Sequence, residues 1–319
     1  MLTVYKHEDG ELLSDTTVAD ATKGSWINLV NPDPDELALV NIMTEIPTDV
    51  LKTALDTEER SHVEIEENYI FVVINIPALR GSDSYDTVPL GIFLSPDFFI
   101  TVCLEETEIL YPFLNNQVAT FYTYKKTRFL FQIMYRTATL FLRYLQQINR
   151  RSDDIEIQLR HTTKNKDFFQ LLELQKSMTY FTSALKTNGT VMERILRIRR
   201  HEDVRHLLKM YDEDEDLLED VIIENKQAIE MVEMYSNILM NMMNAFTSII
   251  SNNLNMVMKL LASMTIILAV PTVIFSLWGV NVPVPFQDWT GGGGFEIVIG
   301  IAVLVTCIAS ILLWKNDFL

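Results

Sequence analysis

Leu260–Trp278, LLASMTIILAVPTVIFSLW, runs nineteen residues without a charge and leads directly into Gly279-Val280-Asn281. The loop VPVPFQDWTGGGG follows, and then a second uncharged run of eighteen residues from Ile297 to Trp314. Each run is long enough, as a helix, to cross the ~30 Å hydrocarbon core of a bilayer. A buried core helix would pass the same length test. Two such runs in tandem, separated by a short Pro- and Gly-rich loop, favour two membrane spans below a large N-terminal soluble part.

The flanks set the expected orientation. Lys259 precedes the first run and Lys315 follows the second, while the loop between them holds only acids, Asp288 and Glu296. Positive flanks stay inside, which predicts cytoplasmic termini, Asn281 outside, and a multi-pass protein of the cell membrane. MLTVYKHEDGE has neither a basic n-region nor an apolar h-region, so it does not read as a signal peptide. The two cysteines, Cys103 in a strand-like run and Cys307 in the second span, offer no disulfide framework, which suits a reducing compartment.

The chain carries 43 Asp and Glu against 26 Lys and Arg, a formal charge of −17. That balance argues against a nucleic-acid partner and a polybasic lipid clamp, both of which need basic surface. Acidic surface serves solubility in general; here it also suits attraction of cations toward an intracellular site.

Residues 1 to about 110 read as α/β. Apolar runs rich in β-branched residues predict strands at Leu2–Tyr5, Trp26–Leu29, Tyr69–Ile76, Val88–Leu94 and Phe98–Cys103. Helical spacing appears at Asp35–Met43, introduced by Asn31-Pro32-Asp33-Pro34, and at Asp49–Asp56. Gly81-Ser82-Asp83-Ser84 and Ser95-Pro96-Asp97 read as hairpin connections. From Pro112 to Pro271 there is no proline and a single glycine, Gly189, which predicts a helical region. Division at Lys164-Asn165-Lys166, Asn188-Gly189 and His201 gives helices at Thr127–His161, Asp167–Lys186, Thr190–Arg200 and Val204–Leu218. A last helix from Glu219 shows no break before Trp278, about 60 residues or roughly 90 Å.

Catalytic patterns are absent. The sequence has no G-x-S-x-G, no P-loop and no G-x-G-x-x-G, and the glycine run Gly291–Gly294 follows no strand. His201 and His206 stand five apart between arginines, which turns them away from each other on a helix and reads as solvated surface.

The long helix carries a distinctive face. In steps of four and three it reads Ser276, Thr272, Ala269, Thr265, Leu261, Met258, Asn255, Ser251, Ser248 and Asn244, seven of the ten being Ser, Thr or Asn. Such steps stay on one side of a helix. Hydroxyls of this kind can bond back to their own helix or sit between packed helices. A stripe that continues far below the membrane instead favours a water-filled path. Two spans cannot enclose a pore, so the path needs a ring of subunits, each giving its first span. Uncharged oxygens suit a cation that keeps its water, as Mg²⁺ does. Met258 and Leu261 would form an apolar neck that gates by dewetting. Gly279 reads as a helix stop with φ > 0, Asn281 as an amide ring at the outer mouth, and Pro271 as a kink.

At these residues the chain resembles the CorA family of divalent-cation channels. The family carries Gly-Met-Asn after its first span, preceded by a stretch similar to SNxxNxVMKxLT and a mid-span proline. The matching residues are Ser251, Asn252, Asn255, Val257, Met258, Lys259, Leu261, Pro271, Gly279 and Asn281. Trp26-Ile27-Asn28-Leu29 with Pro32 and Glu36-Leu37 is similar to the family's W-I-D-L segment. Glu66–Phe71 and Ile100-Thr101-Val102 are similar to later strands. Val280 replaces the motif's Met, Ala262 its Thr, Trp278 a Tyr and Val282 an aromatic, and the basic tail is reduced to Lys315.

The resemblance implies a funnel-shaped homopentamer in the lipid bilayer that conducts divalent cations. Mg²⁺ would be the transported and the regulatory ion, with no other cofactor and no enzymatic activity. Branches with a changed middle residue include zinc transporters, so Val280 keeps Zn²⁺, Co²⁺ or Ni²⁺ as alternatives. A non-conducting membrane-anchored coiled-coil scaffold is the alternative of a different class. Acidic residues between funnel subunits bind regulatory Mg²⁺ in the family, and Asp216 and Asp220 are the corresponding candidates. The expected fold is α+β: an α/β cytoplasmic domain over 1–120, a helical stalk over 121–258, a pore-lining first span over 259–281, an outer loop over 282–295, a second span over 296–314 and a cytoplasmic tail over 315–319.

Overall fold

The computed structural model describes residues 1–8, 10–15, 21–81, 84–161, 165–199, 204, 206–286 and 293–316. The chain divides into two units, Met1–Met242 and Met243–Leu319.

The first unit is built on a seven-stranded sheet. Its strands are β1 (Leu2–Glu8), β2 (Glu11–Asp15), β3 (Trp26–Val30), β4 (His62–Ile65), β5 (Ile70–Arg80), β6 (Ser84–Leu94) and β7 (Phe99–Cys103). They lie in the order β2-β1-β3-β7-β6-β5-β4. Only β3 and β7 pair in parallel; every other neighbour is antiparallel. The five strands expected from apolar runs are all present. The two that were not, β2 and β4, form the two edges of the sheet. Their short sequences, ELLSD and HVEI, lack an apolar run like Ile70–Ile74 of β5 and carry charged residues, as suits a strand with one partner and a solvated side.

Alternation sorts the strand residues onto two faces. Ile27, Leu29, Phe71, Val73, Phe93, Ile100 and Val102 pack with Leu37, Val40, Ile46, Leu51 and Ala54 of α1 (Pro34–Thr44), α2 (Thr48–Thr53) and the residues beside them. Phe71 and Phe93 stack with centroids 4.2 Å apart. Gly91 is needed on this face, since a Cβ there would lie 2.4 Å from the Ala54 Cβ. On the opposite face Trp26 and Phe99 meet Phe129 of α4 (Lys126–His161) at 4.9 and 4.3 Å. The Trp26 indole donates to Thr101 Oγ1 at 2.8 Å, and that hydroxyl donates to Asn28 Oδ1 at 2.8 Å, a buried chain of three paired side chains.

The helix α1 begins as its sequence dictates. Asp33 Oδ1 accepts from the Glu36 amide and Glu36 Oε2 accepts from the Asp33 amide, a capping box with Pro34 at the first position. A short helix α3 (Tyr111–Leu114) precedes α4.

Beyond α4 one of the expected breaks is corrected. Asn188-Gly189 does not end a helix; α5 runs without interruption from Asn165 to Ile198. The Asn188 side chain is fully buried and pairs with β5, accepting from the Asn75 amide at 2.9 Å and donating to the Asn75 carbonyl at 2.7 Å. Gly189 provides clearance: a Cβ there would be 3.0 Å from Asn225 Nδ2. Both residues thus serve packing rather than a turn. The expected helix Val204–Leu218 is not a separate element, and its second half, from Asp212, belongs to α6. The chain forms turns at 206–208, and α6 starts at Asp212. His201 lies outside the described residues.

The long helix is confirmed and extended. α6 runs from Asp212 to Trp278, 67 residues, and passes through Pro271 without ending. The proline withdraws the helical donor for the Ile267 carbonyl. In the second unit α6 is joined by α7 (Gly293–Lys315). Both helices are long and apolar enough to cross a membrane, and only 6% and 11% of their apolar windows are buried within the chain.

Candidate ion path

The end of α6 has a covered face and an open one. Ser263 is fully buried and Ile267, Val270, Pro271, Ile274 and Trp278 are half-buried, in helical register. Val298 and Ala302 of α7 are also buried, and α7 is the other helix of this unit. Thr265 stands two residues from Ser263 and Thr272 two from Ile274, about 200° around the helix in each case. The polar stripe therefore occupies the side of α6 opposite its covered face.

Every residue assigned to the path lies on this open side or just past its end. Asn255, Thr265, Thr272, Ser276, Gly279 and Asn281 are exposed, and Met258 and Leu261 are 58% and 54% exposed. From Thr247 to Ala262 every residue is exposed, on all sides of the helix. The Thr265 hydroxyl donates to the Leu261 carbonyl at 2.8 Å and the Thr272 hydroxyl to the Leu268 carbonyl at 2.7 Å. Ser248 does the same toward Asn244. Bonding back uses each hydroxyl proton and leaves oxygen lone pairs as acceptors. The two readings of these residues are thus compatible. A row of hydroxyls tied to their own helix is a row of fixed, uncharged acceptors, suited to the protons of an ion's hydration water.

The expectation for Gly279 is half right. α6 does end at Trp278, but Gly279 has no left-handed backbone. Its amide continues the helical pattern by donating to the Phe275 carbonyl at 2.9 Å. A Cβ on Gly279 would lie 3.3 Å from that same oxygen. Glycine here spares the last carbonyls a close approach instead of reversing the chain.

The loop that follows is anchored by a residue the sequence did not single out for the task. Trp278 Nε1 donates to the Pro285 carbonyl at 2.9 Å, closing the segment that holds Val280 and Asn281 over the helix end. The signal was only an aromatic at the end of a span; its partner seven residues on is a matter of how the loop returns.

The acidic stretch at the start of α6 separates into two roles. Asp214 is buried; its Oδ2 accepts from the Tyr211 amide and its Oδ1 from Arg128 Nε at 2.8 Å. Arg128 also holds Glu213 at 2.6 Å, which keeps that carboxyl below the usual carboxylate range. Glu215 pairs with Arg199 at 3.1 Å. Asp216 and Asp220 are exposed and one turn apart. Among the described residues no three His, Cys, Asp or Glu side chains converge as a metal site within one chain.

Comparison with known proteins assigns the family of the chain and shows the fold it shares. The family model for CorA-like Mg²⁺ transporter proteins matches residues 22–315. The cobalt/magnesium transport protein CorA of Methanocaldococcus jannaschii is 24% identical over 293 residues, covering 89% of this chain and 87% of its own. The complete structure of the CorA magnesium transporter from that organism superposes with a TM-score of 0.81 at 22% identity, over 98% of this chain and 96% of the other. Full-length CmaX superposes at 0.73 with 16% identity, over 98% and 96% of the two chains. The cytoplasmic domain of ZntB from Vibrio parahaemolyticus superposes at 0.60 with 12% identity, over 79% of this chain and 97% of that domain. The folded α/β unit, the unbroken α6, the second apolar helix and a family match over almost the whole length make this chain a member of the CorA-like Mg²⁺ transporter family.

Proposed function

We propose that the chain forms a homopentameric pore in the cell membrane, with both termini in the cytoplasm, and conducts Mg²⁺ inward down the membrane potential. The carrying observation is the exposed polar stripe on α6, set opposite the face that is covered within the chain. Copies arranged about a central axis would turn these stripes toward a common lumen, and α7 outward to lipid. Asn281 and Gly279 form the outer selectivity site, where amide oxygens accept from the ion's water. Asn255, Thr265, Thr272 and Ser276 line the path. Met258 and Leu261 make the apolar neck. Two charges crossing 100 mV gain about 4.6 kcal/mol, enough to drive uptake with no coupled reaction. Asp216 and Asp220 serve as the regulatory Mg²⁺ ligands of each chain. A pair of exposed carboxylates one turn apart fits an ion that takes one or two carboxylates and keeps most of its waters.

Zn²⁺, Co²⁺ or Ni²⁺ is the second reading, favoured by Val280 at the middle of the Gly-Val-Asn motif. The test is uptake into liposomes loaded with a fluorescent Mg²⁺ reporter, with the other metals as competitors. Uptake above empty liposomes, abolished by Asn281→Ala in a correctly assembled protein, is the expected result. Unchanged flux in Asn281→Ala removes that residue from the mechanism, and flux of a competing metal with none of Mg²⁺ moves the assignment to that metal.

A further inference from the structure

The first unit contains a cavity of about 860 Å³ that has no part in the ion path. The turn at Lys23, the turn between β6 and β7, the start of α4 and the segment leading into α6 form its walls. Four lysines converge there, Lys23, Lys125, Lys126 and Lys209. In a chain of charge −17 such a grouping runs against composition.

Three carboxylates, Asp212, Glu213 and Asp214, stand in the same wall. Arg128, also in the wall, holds Glu213 and Asp214, and Asp97 pairs with Lys23 at 2.9 Å, so five cationic side chains face three wall carboxylates. Lys126 is partly buried and donates to the carbonyls of Ser95 and Pro96. Burial pushes its amine down to about 8, and the positive charges of Lys23 and Lys209 add to this against the pull of Asp97. An anion in the cavity would offset both effects. Two aromatic rings also stand open at the wall: Tyr124 is 54% exposed and Tyr211 67%. Exposed rings beside a cationic hollow give a planar group a surface to stack on. The volume lies in the range of small-molecule sites, roughly 300–1,000 Å³.

We propose that this cavity binds a nucleotide, with its polyphosphate on Lys125, Lys126 and Lys209 and its base against Tyr124 or Tyr211. The sequence has no P-loop, so lysine side chains, and not a glycine-rich backbone cradle, would hold the phosphates.

The test is isothermal titration of the full-length chain in detergent with ATP, in EDTA so that metal chelation is not read as binding. Tripolyphosphate is the second probe. Saturable ATP binding is expected, weakened about tenfold by Lys126→Gln and by Lys209→Gln, each the loss of one charge-assisted contact. Tyr124→Ala or Tyr211→Ala should weaken ATP about tenfold and leave tripolyphosphate unchanged. Lys209 is exposed, so Lys209→Gln reports on the site even if Lys126→Gln disturbs folding. Absence of saturable binding up to about 1 mM ATP, a Kd unchanged in Lys209→Gln, or tripolyphosphate binding as tightly as ATP would each overturn the assignment.

Discussion

Residues 1–242 and 243–319 solve opposite problems. In the first unit Trp26, Phe71, Phe93, Phe99 and Phe129 are all essentially inaccessible, and the polar groups buried with them find partners within the chain. In the second, large apolar side chains such as Leu268, Val273, Phe275 and Leu277 are 48–70% exposed. The same apolar chemistry gives a closed core in one case and an open surface in the other. An exposed apolar face of this extent is stable only against lipid or other copies of the chain. The polar stripe of α6 lies within this open surface, so what one chain leaves uncovered is where its function is proposed.

The contrast can be broken at several points. The largest effect is expected from cutting the chain after Met242. Residues 1–242 should remain soluble without detergent and unfold in one cooperative transition, whereas residues 243–319 should require detergent. Aggregation of the purified first unit under native conditions would show that the two are not separable in this way.

Single substitutions should then divide by unit. Trp26→Ala removes a ring packed on Phe129 and the donor to Thr101, and should cost about 3–5 kcal/mol in denaturant unfolding of the first unit. Thr265→Ala removes a hydroxyl already bonded to its own helix and should change stability by under about 0.5 kcal/mol. It should nevertheless lower Mg²⁺ flux. Comparable stability losses in the two variants would contradict the division.

A smaller effect is expected from pH. His7 is buried, its Nδ1 accepts from the Thr123 amide at 3.2 Å, and its Nε2 lies 3.3 Å from Asn116 Oδ1. A neutral ring with the proton on Nε2 satisfies both contacts. Burial, opposed by the Asn116 bond, lowers its pKa below the ordinary value of 6.5. The unfolded chain then binds more protons than the folded one, so stability is complete above about pH 6.5 and falls as pH drops toward the lower folded value. The thermal midpoint of the first unit should decline over that window, and less so in His7→Gln. Identical pH profiles for the two proteins would remove His7 as a contributor.

Much of this was legible in the residues. β5 announced itself because burial on both faces leaves the apolar run Ile70–Ile74, and α1 because Asp33, Pro34 and Glu36 write its capping box directly. The edge strands β2 and β4 carry no such run. The break expected at Asn188-Gly189 failed because both residues answer to distant partners, Asn75 and Asn225, that local patterning does not reveal. At the proposed path the stripe itself was readable as a period of three and four. The anchoring of the loop by Trp278 and the distinction between the engaged Glu213 and Asp214 and the exposed Asp216 and Asp220 were not. Each depends on which side chain a folded neighbour, Pro285 or Arg128, reaches.

The claim that the stripe faces water is tested most directly by thiol accessibility in proteoliposomes. Cys307 is exposed and is first replaced by Ser, while Cys103 is buried with its thiol pushed up to about 11 and stays unreactive. Cysteines are then placed singly at Thr272, Ser276 and Ile274. A membrane-impermeant thiol reagent should label Thr272→Cys and Ser276→Cys, with labelling slowed by Mg²⁺, and should leave Ile274→Cys, on the covered face, unlabelled. Labelling of Ile274→Cys alone, or of none of the three in a folded and assembled protein, would contradict a water-filled path along this face of α6.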